Sequence, residues 1–382
     1  MGWRESFTQT FGPGLFNGAD LSTCLRILRA NRFRVEPRFA LRLMAALSAS
    51  LSNSINGRIE KWRFARKYSK VEVPAPLFIL GHFRSGTTHL HNLLTQDPRF
   101  AYPNLFQVNY PRIFLSTEAM ATRMMQVLLP KTRFGLDNVR LQWKTPYEDE
   151  FALAGGHGIS PYISFAFPAQ RDYYDRYLTL HDLTDRERAE WIEHWRTFLQ
   201  KLTWKYDRPL VLKSPCHTCR IKTILDVFPD AKFVNIHRNP FDVFRSTRHM
   251  IGIIDRYWAM QRAPLESWET RALHQYRQMY EVYFAERSLI PAGRLCETSY
   301  ESLDADPVNQ VRRIYESLEL PDFAEFAPQL TEYVDGLAGY QKNKLPALSA
   351  DDRAMVAREW AICFEQWEYA TDTEERKADE SE

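Results

Sequence analysis

Between Pro76 and Leu90 the chain reads PLFILGHFRSGTTHL: an apolar run, a glycine, four further residues, a second glycine and two threonines. No other stretch constrains the fold as tightly. An uninterrupted apolar run that stops at a glycine and resumes as a helical pattern is the strand–turn–helix unit of a parallel sheet, whose strands are buried on both faces. The turn nearly matches the phosphate-cradling pattern G-x-x-x-x-G-K-[ST], with Gly81 and Gly86 in place but Thr87 where the lysine belongs. Backbone N–H groups at such a turn, with a helix N-terminus behind them, bind tetrahedral anions. Arg84, Ser85, Gly86, Thr87 and Thr88 are therefore candidate anion ligands.

Three more apolar runs read as buried strands: PLVLKS at 209–214, KFVNIH at 232–237 and RLCETSY at 294–300. Strands alternating with helical patterns predict an α/β fold, a P-loop-like doubly wound parallel sheet flanked by helices, with helical N-terminal and inserted segments. In the insertion, Trp191, Trp195, Phe198 and Leu202 share one helical face, and core contact is the favoured reading of that stripe. The expected organisation is a helical, basic extension over 1–70, a main domain over 71–370, and an acid-rich tail over 371–382 that frays in solvent.

A nucleoside triphosphatase needs a carboxylate for magnesium at the end of a neighbouring strand. Here one neighbouring strand ends in Lys213-Ser214 and the other in His237-Arg238, so the site offers cations and no metal is expected. This combination resembles sulfotransferases that use 3′-phosphoadenosine 5′-phosphosulfate (PAPS), in the broad bacterial and Golgi-type group. In that family a loop of the form R/K-S-G-T-T holds the 5′-phosphosulfate, here Arg84 to Thr88. A second motif, an apolar strand followed by an arginine and a serine eight residues on, holds the 3′-phosphate, here Arg238 and Ser246 in KFVNIHRNPFDVFRS. LVLKSPCHT, ETSYESL and YQKNKLPALS extend the likeness over roughly 76–368, and it implies that Lys342 and Asn343 lie against the nucleotide. The activity implied is sulfuryl transfer from PAPS, as co-substrate, to an acceptor hydroxyl. The rivals are a P-loop nucleotide kinase on the same core and a non-catalytic nucleotide-binding module.

Sulfuryl transfer needs an aligned acceptor, a base for its proton, and stabilisation of charge on the leaving oxygen. Arg84 and Lys213 are the expected stabilisers, since a lysine closing a buried parallel strand points into the ligand crevice. For the base, KTPYEDEFALA offers three carboxylates. Thr145, Pro146 and Glu148 fit a capping box, which assigns Glu148 a structural role. Of Asp149 and Glu150, Glu150 is placed first because the apolar FALA beside it can desolvate a carboxylate and raise its basicity. His217 is the histidine alternative. His217 also sits inside a C-x-x-C of Cys216 and Cys219; with no second C-x-x-C, coincidence outweighs a zinc or redox site.

Net charge is +2 over 382 residues, which argues against a general nucleic-acid binder. Five sparse cysteines suggest reduced thiols and a cytoplasmic chain. The N-terminus lacks the pattern of a signal peptide. FALRLMAALSASL at 39–51 is too short to span a bilayer; core packing is favoured, with a peripheral membrane contact through the N-terminal helices as the alternative. The aromatic-rich insertion favours a small apolar or lipid-like alcohol as acceptor; 14% of the residues are aromatic.

Overall fold

The computed structural model describes residues 14–125, 129, 132, 140–263, 265–339, 343 and 345–371. Lys342 and nearly all of the acidic tail lie outside the described residues. The four apolar runs form β1 (Leu77–Leu80), β2 (Val211–Lys213), β3 (Lys232–His237) and β4 (Leu295–Ser299). They pair in parallel in the order β2-β1-β3-β4, with Phe78 opposite both Leu212 and Phe233. The α/β architecture expected from the alternation is the one found.

Successive strand side chains point to opposite faces, so both faces must be covered. Phe78, Leu80, Leu212 and Phe233 enter the larger core, while Leu77, Ile79, Val211, Val234 and Ile236 enter a second one. The principal helices are α1 (Leu21–Ala30), α2 (Ala40–Tyr68), α3 (Thr87–Leu94), α4 (Glu150–His157), α5 (Asp185–Tyr206), α6 (Pro240–Trp258) and α7 (Leu265–Glu286). α3 follows β1 directly and covers the second face with Leu90, Leu93 and Leu94. α5 starts in a capping box between Thr184 and Glu187 and covers the first face. Its predicted stripe is buried throughout, with the Trp195 ring 5.9 Å from Phe78. Truncating one such tryptophan to alanine removes about 3–5 kcal/mol.

The N-terminal helices pack into that larger core through Cys24, Ile27, Leu28 and Ala46. The Glu60 carboxylate of α2 is buried 2.6 Å from Lys201 on α5, and Asn31 donates to the Tyr174 hydroxyl at 2.7 Å. Among the described residues no helix is long and apolar enough to cross a membrane.

The chain leaves β1 toward β2 on one side and later crosses to β3 on the other. Ligand crevices of open parallel sheets form at such a reversal, outside the carboxyl ends of the strands. The loops after β1, β2 and β3 all open there.

Candidate active site

The loop after β1 is built by two glycines and a buried serine. Gly81 has φ +135°, and a side-chain carbon there would lie 2.4 Å from the Ile236 carbonyl oxygen of β3. Gly86 caps α3 at φ +99°, where a side chain would meet the Tyr300 ring at 2.4 Å. Arg84 also adopts a left-handed conformation, φ +68°, which a non-glycine residue holds only when its surroundings impose it. Ser85 is fully buried and donates both its hydroxyl and its amide N–H to the His82 carbonyl (2.8 and 3.2 Å). It shapes the loop rather than lining the crevice.

The two anion motifs read from sequence meet. Arg84 Nε donates to Ser246 Oγ at 2.9 Å, across 162 positions of chain. Arg238 donates to the Arg84 carbonyl at 3.4 Å, and its guanidinium lies 4.4 Å from the centre of the Tyr300 ring. Asn239 caps α6 and Pro240 is its first residue, which sets Arg238 at the helix start and Ser246 two turns on, facing the loop. Arg84, Gly86, Thr87, Thr88, Arg238 and Ser246 line one cavity of about 980 Å³, at the upper end of the size of small-molecule sites. Asn343 lines it too. Sequence reasoning passed over Arg245, one residue before Ser246, and Lys144 and Arg140 from the insertion. The first could have been found from its position two helical turns after Arg238; the others are brought in by tertiary folding alone.

The candidate base is where the structure departs furthest from the sequence. The expected capping box at Thr145 does not form: α4 begins only at Glu150, and Thr145 Oγ1 accepts instead from the Gln142 N–H. Glu148, freed from capping, reaches the end of β2, where its Oε1 lies 2.6 Å from Lys213 Nζ. Its Oε2 accepts from the Tyr162 hydroxyl at 2.6 Å. Lys213 in turn stands 3.5 Å from Thr88 Oγ1, so the pair sits directly behind the loop. Lys213 is itself buried, held between Glu148 and Thr88.

Glu150 does not reach the crevice. It is fully buried and bonded through both oxygens to Arg220 (2.6 and 3.3 Å), whose Nε also donates to the Leu178 carbonyl. Held on both oxygens by a buried guanidinium, the carboxylate is shielded from substrate. Asp149 is buried as well. It accepts from Trp195 Nε1 and lies 2.9 Å from His217 Nε2. Burial alone would raise its pKa, yet the His217 charge and these hydrogen bonds hold the carboxyl below its usual range. His217 is buried against Phe78 and Trp195, under the sheet and away from the cavity. Cys216 and Cys219 are buried beside it, and burial pushes the Cys219 thiol up to about 12, so it is inert at neutral pH. Among the described residues no cluster of three or more potential metal ligands occurs.

A parallel sheet with a glycine loop at its reversal point, Arg84 and Arg238 in one cavity beside it, and a carboxylate–lysine pair behind the loop is an arrangement suited to a group-transfer enzyme. The chain belongs to the sulfotransferase family, whose family model matches residues 76–325. It is 33% identical over 375 residues, 98% of this chain and 94% of the relative, to the omega-hydroxy-beta-dihydromenaquinone-9 sulfotransferase Stf3 of Mycobacterium bovis, and equally to that of Mycobacterium tuberculosis. The fold is shared with two solved sulfotransferases. STF9 from Mycobacterium avium has a TM-score of 0.69 and 21% identity, covering 89% of both chains. STF1 from Mycobacterium tuberculosis has a TM-score of 0.64 and 18% identity, covering 94% of this chain and 93% of the other. The protein is a sulfotransferase and uses a sulfuryl donor as co-substrate; the kinase reading is not favoured.

Proposed function

We propose that the donor is PAPS and the acceptor a lipid-like alcohol, with Glu148 as general base. The observation that carries the donor is the Arg84–Ser246 hydrogen bond, which joins the two anion motifs inside one cavity. The ligand would carry phosphates at two separated positions, and the cavity wall fits it: Arg84, Arg140, Lys144, Arg238 and Arg245 outnumber the acidic Asp242 and Asp304. The acceptor class is supported by the Mycobacterium bovis relative, whose name specifies an omega-hydroxylated dihydromenaquinone, and by the aromatic residues around Glu148. Contact with a membrane surface would suit such an acceptor.

PAPS supplies a sulfuryl group whose sulfur exchanges its bond to the bridging phosphate oxygen for one to the acceptor oxygen. Arg84 and the backbone N–H groups of the first turn of α3 bind the phosphosulfate. Arg238 and Ser246 bind the 3′-phosphate. Lys213 stands between Thr88 and Glu148 and can serve either side. Drawn toward the anion, its ammonium shields charge growing on the bridging oxygen. Glu148, released from Lys213, is then free to take the acceptor proton. Tyr162 keeps that carboxylate oriented. Turnover of labelled PAPS against sterol, long-chain alcohol, phenol and sugar acceptors tests the assignment. Sulfation of the long-chain alcohol ahead of the others is expected; preference for the sugar, or no PAPS consumption with any acceptor, overturns it.

A further inference from the structure

α2 is buried along one side through Ala46, Ser50, Asn53, Glu60 and Tyr68. At roughly 100° per residue, the opposite side carries Leu41, Met44, Leu51, Ile55, Ile59 and Trp62. All six are exposed, from 46% at Ile59 to 84% at Trp62. An apolar stripe this long on the outer face of a helix calls for a partner.

Charge selects the partner. The exposed ionic side chains in the second half of α2 are Arg58, Lys61, Arg63, Arg66 and Lys67. The one acidic residue of the helix, Glu60, is buried against Lys201. The 3–4 spacing of the stripe would also suit a seam with a second copy of the chain. A two-fold seam sets the same patch against itself, however, and α2 brings no exposed carboxylate to offset five cations. A basic helix with an apolar face and an outward tryptophan suits the interface of an anionic bilayer.

A cavity of about 470 Å³ opens at the N-terminal end of the stripe, lined by Leu41, Met44, Ala45 and Ala49 of α2 and by Tyr257 and Trp258. Trp258 packs on Phe151 (5.4 Å), Phe151 on Tyr162 (5.0 Å), and Tyr162 holds Glu148. A file of packed aromatic rings thus separates this cavity from the proposed base.

We propose that α2 docks the enzyme on an anionic lipid bilayer through its outward stripe, and that the cavity at the end of the stripe receives the apolar chain of the acceptor from that bilayer. The second half rests on the functional reading above; the first stands without it.

Sedimentation with bare vesicles tests the docking. Vesicles of phosphatidylcholine with about 30 mol % phosphatidylglycerol are expected to carry the full chain down, and pure phosphatidylcholine vesicles to carry about tenfold less. The double variant Ile55→Glu, Trp62→Glu should lose about tenfold or more of the bound fraction while keeping its melting temperature and its affinity for adenosine 3′,5′-bisphosphate. Equal binding of variant and wild type overturns the proposal, as does the absence of binding to mixed vesicles. So does a wild-type dimer in sedimentation velocity that the same variant splits, since the face then belongs to a second copy. Ala45→Phe, which fills the cavity, should raise KM for a long-chain alcohol about tenfold with bisphosphate affinity unchanged; an unchanged KM overturns the chain site. Because the vesicles hold neither donor nor acceptor, a protein that binds them but consumes no PAPS sinks only the functional reading. One that consumes PAPS but ignores them sinks only the docking.

Discussion

Glu148, Asp149 and Glu150 stand side by side in the chain and end in three environments: a lysine at the crevice, a buried histidine and tryptophan, and a buried arginine. Their roles should separate on substitution. Glu148→Gln keeps the shape and removes the basicity, so kcat is expected to fall by about 10²–10⁴ with bisphosphate affinity near wild type. Glu150→Gln leaves Arg220 buried without its counter-charge and should cost roughly 3–5 kcal/mol in urea unfolding. If Glu150→Gln folds with normal stability and loses turnover while Glu148→Gln does not, the assignment reverses. Arg238→Ala should weaken bisphosphate binding by roughly 2–4 kcal/mol, and a ligand without the 3′-phosphate much less. Calorimetry with both ligands checks this, and equal losses would make Arg238 a general scaffold residue.

At the scale of elements, the strands were legible because buried parallel strands must be apolar without interruption, and KFVNIH admits no other reading once a helix follows it. The anion loop was legible because left-handed backbone at Gly86 needs glycine at a fixed place. Gly86→Ala tests that: strain at φ +99° and the 2.4 Å approach to Tyr300 should cost about 1–3 kcal/mol. Nucleotide binding should be lost before the fold, as calorimetry and circular dichroism on one preparation would show; full nucleotide affinity in the variant refutes it. The base was illegible for the converse reason. Thr145-Pro146-Glu148 carries a local capping signature, but Lys213, 65 positions later, competes for the same carboxylate and wins, so α4 begins at Glu150. Local pattern predicts local bonds; it is blind to a charge delivered by another strand. His217 misled similarly, since nothing in its neighbourhood announces that Asp149 and Trp195 will enclose it.

For the whole molecule, pH provides a test. Burial holds His82 down at about 4 and, with the Lys213 charge, His91 at about 3. Both titrate near 6.5 once unfolded. The unfolded chain therefore takes up these protons first as pH falls. Stability is full above pH 6.5 and is lost progressively toward pH 4, by about 3 kcal/mol for His82 alone. Urea midpoints between pH 7 and 4.5 should fall more steeply in the wild type than in His82→Gln; parallel profiles would remove His82 from the account.

The hydrogen bond from Arg84 to Ser246 joins the loop after β1 to the helix after β3, adjacent strands whose register is locked from Leu77 to Leu80. The spacing between the two anion subsites is therefore set by a sheet, the stiffest part of the molecule, and not by a mobile loop. Such a frame acts as a calliper. On the proposed donor it would measure the separation of two phosphates on one ribose, so the 2′,5′-bisphosphate isomer, with identical charge and composition, should be turned away on length alone.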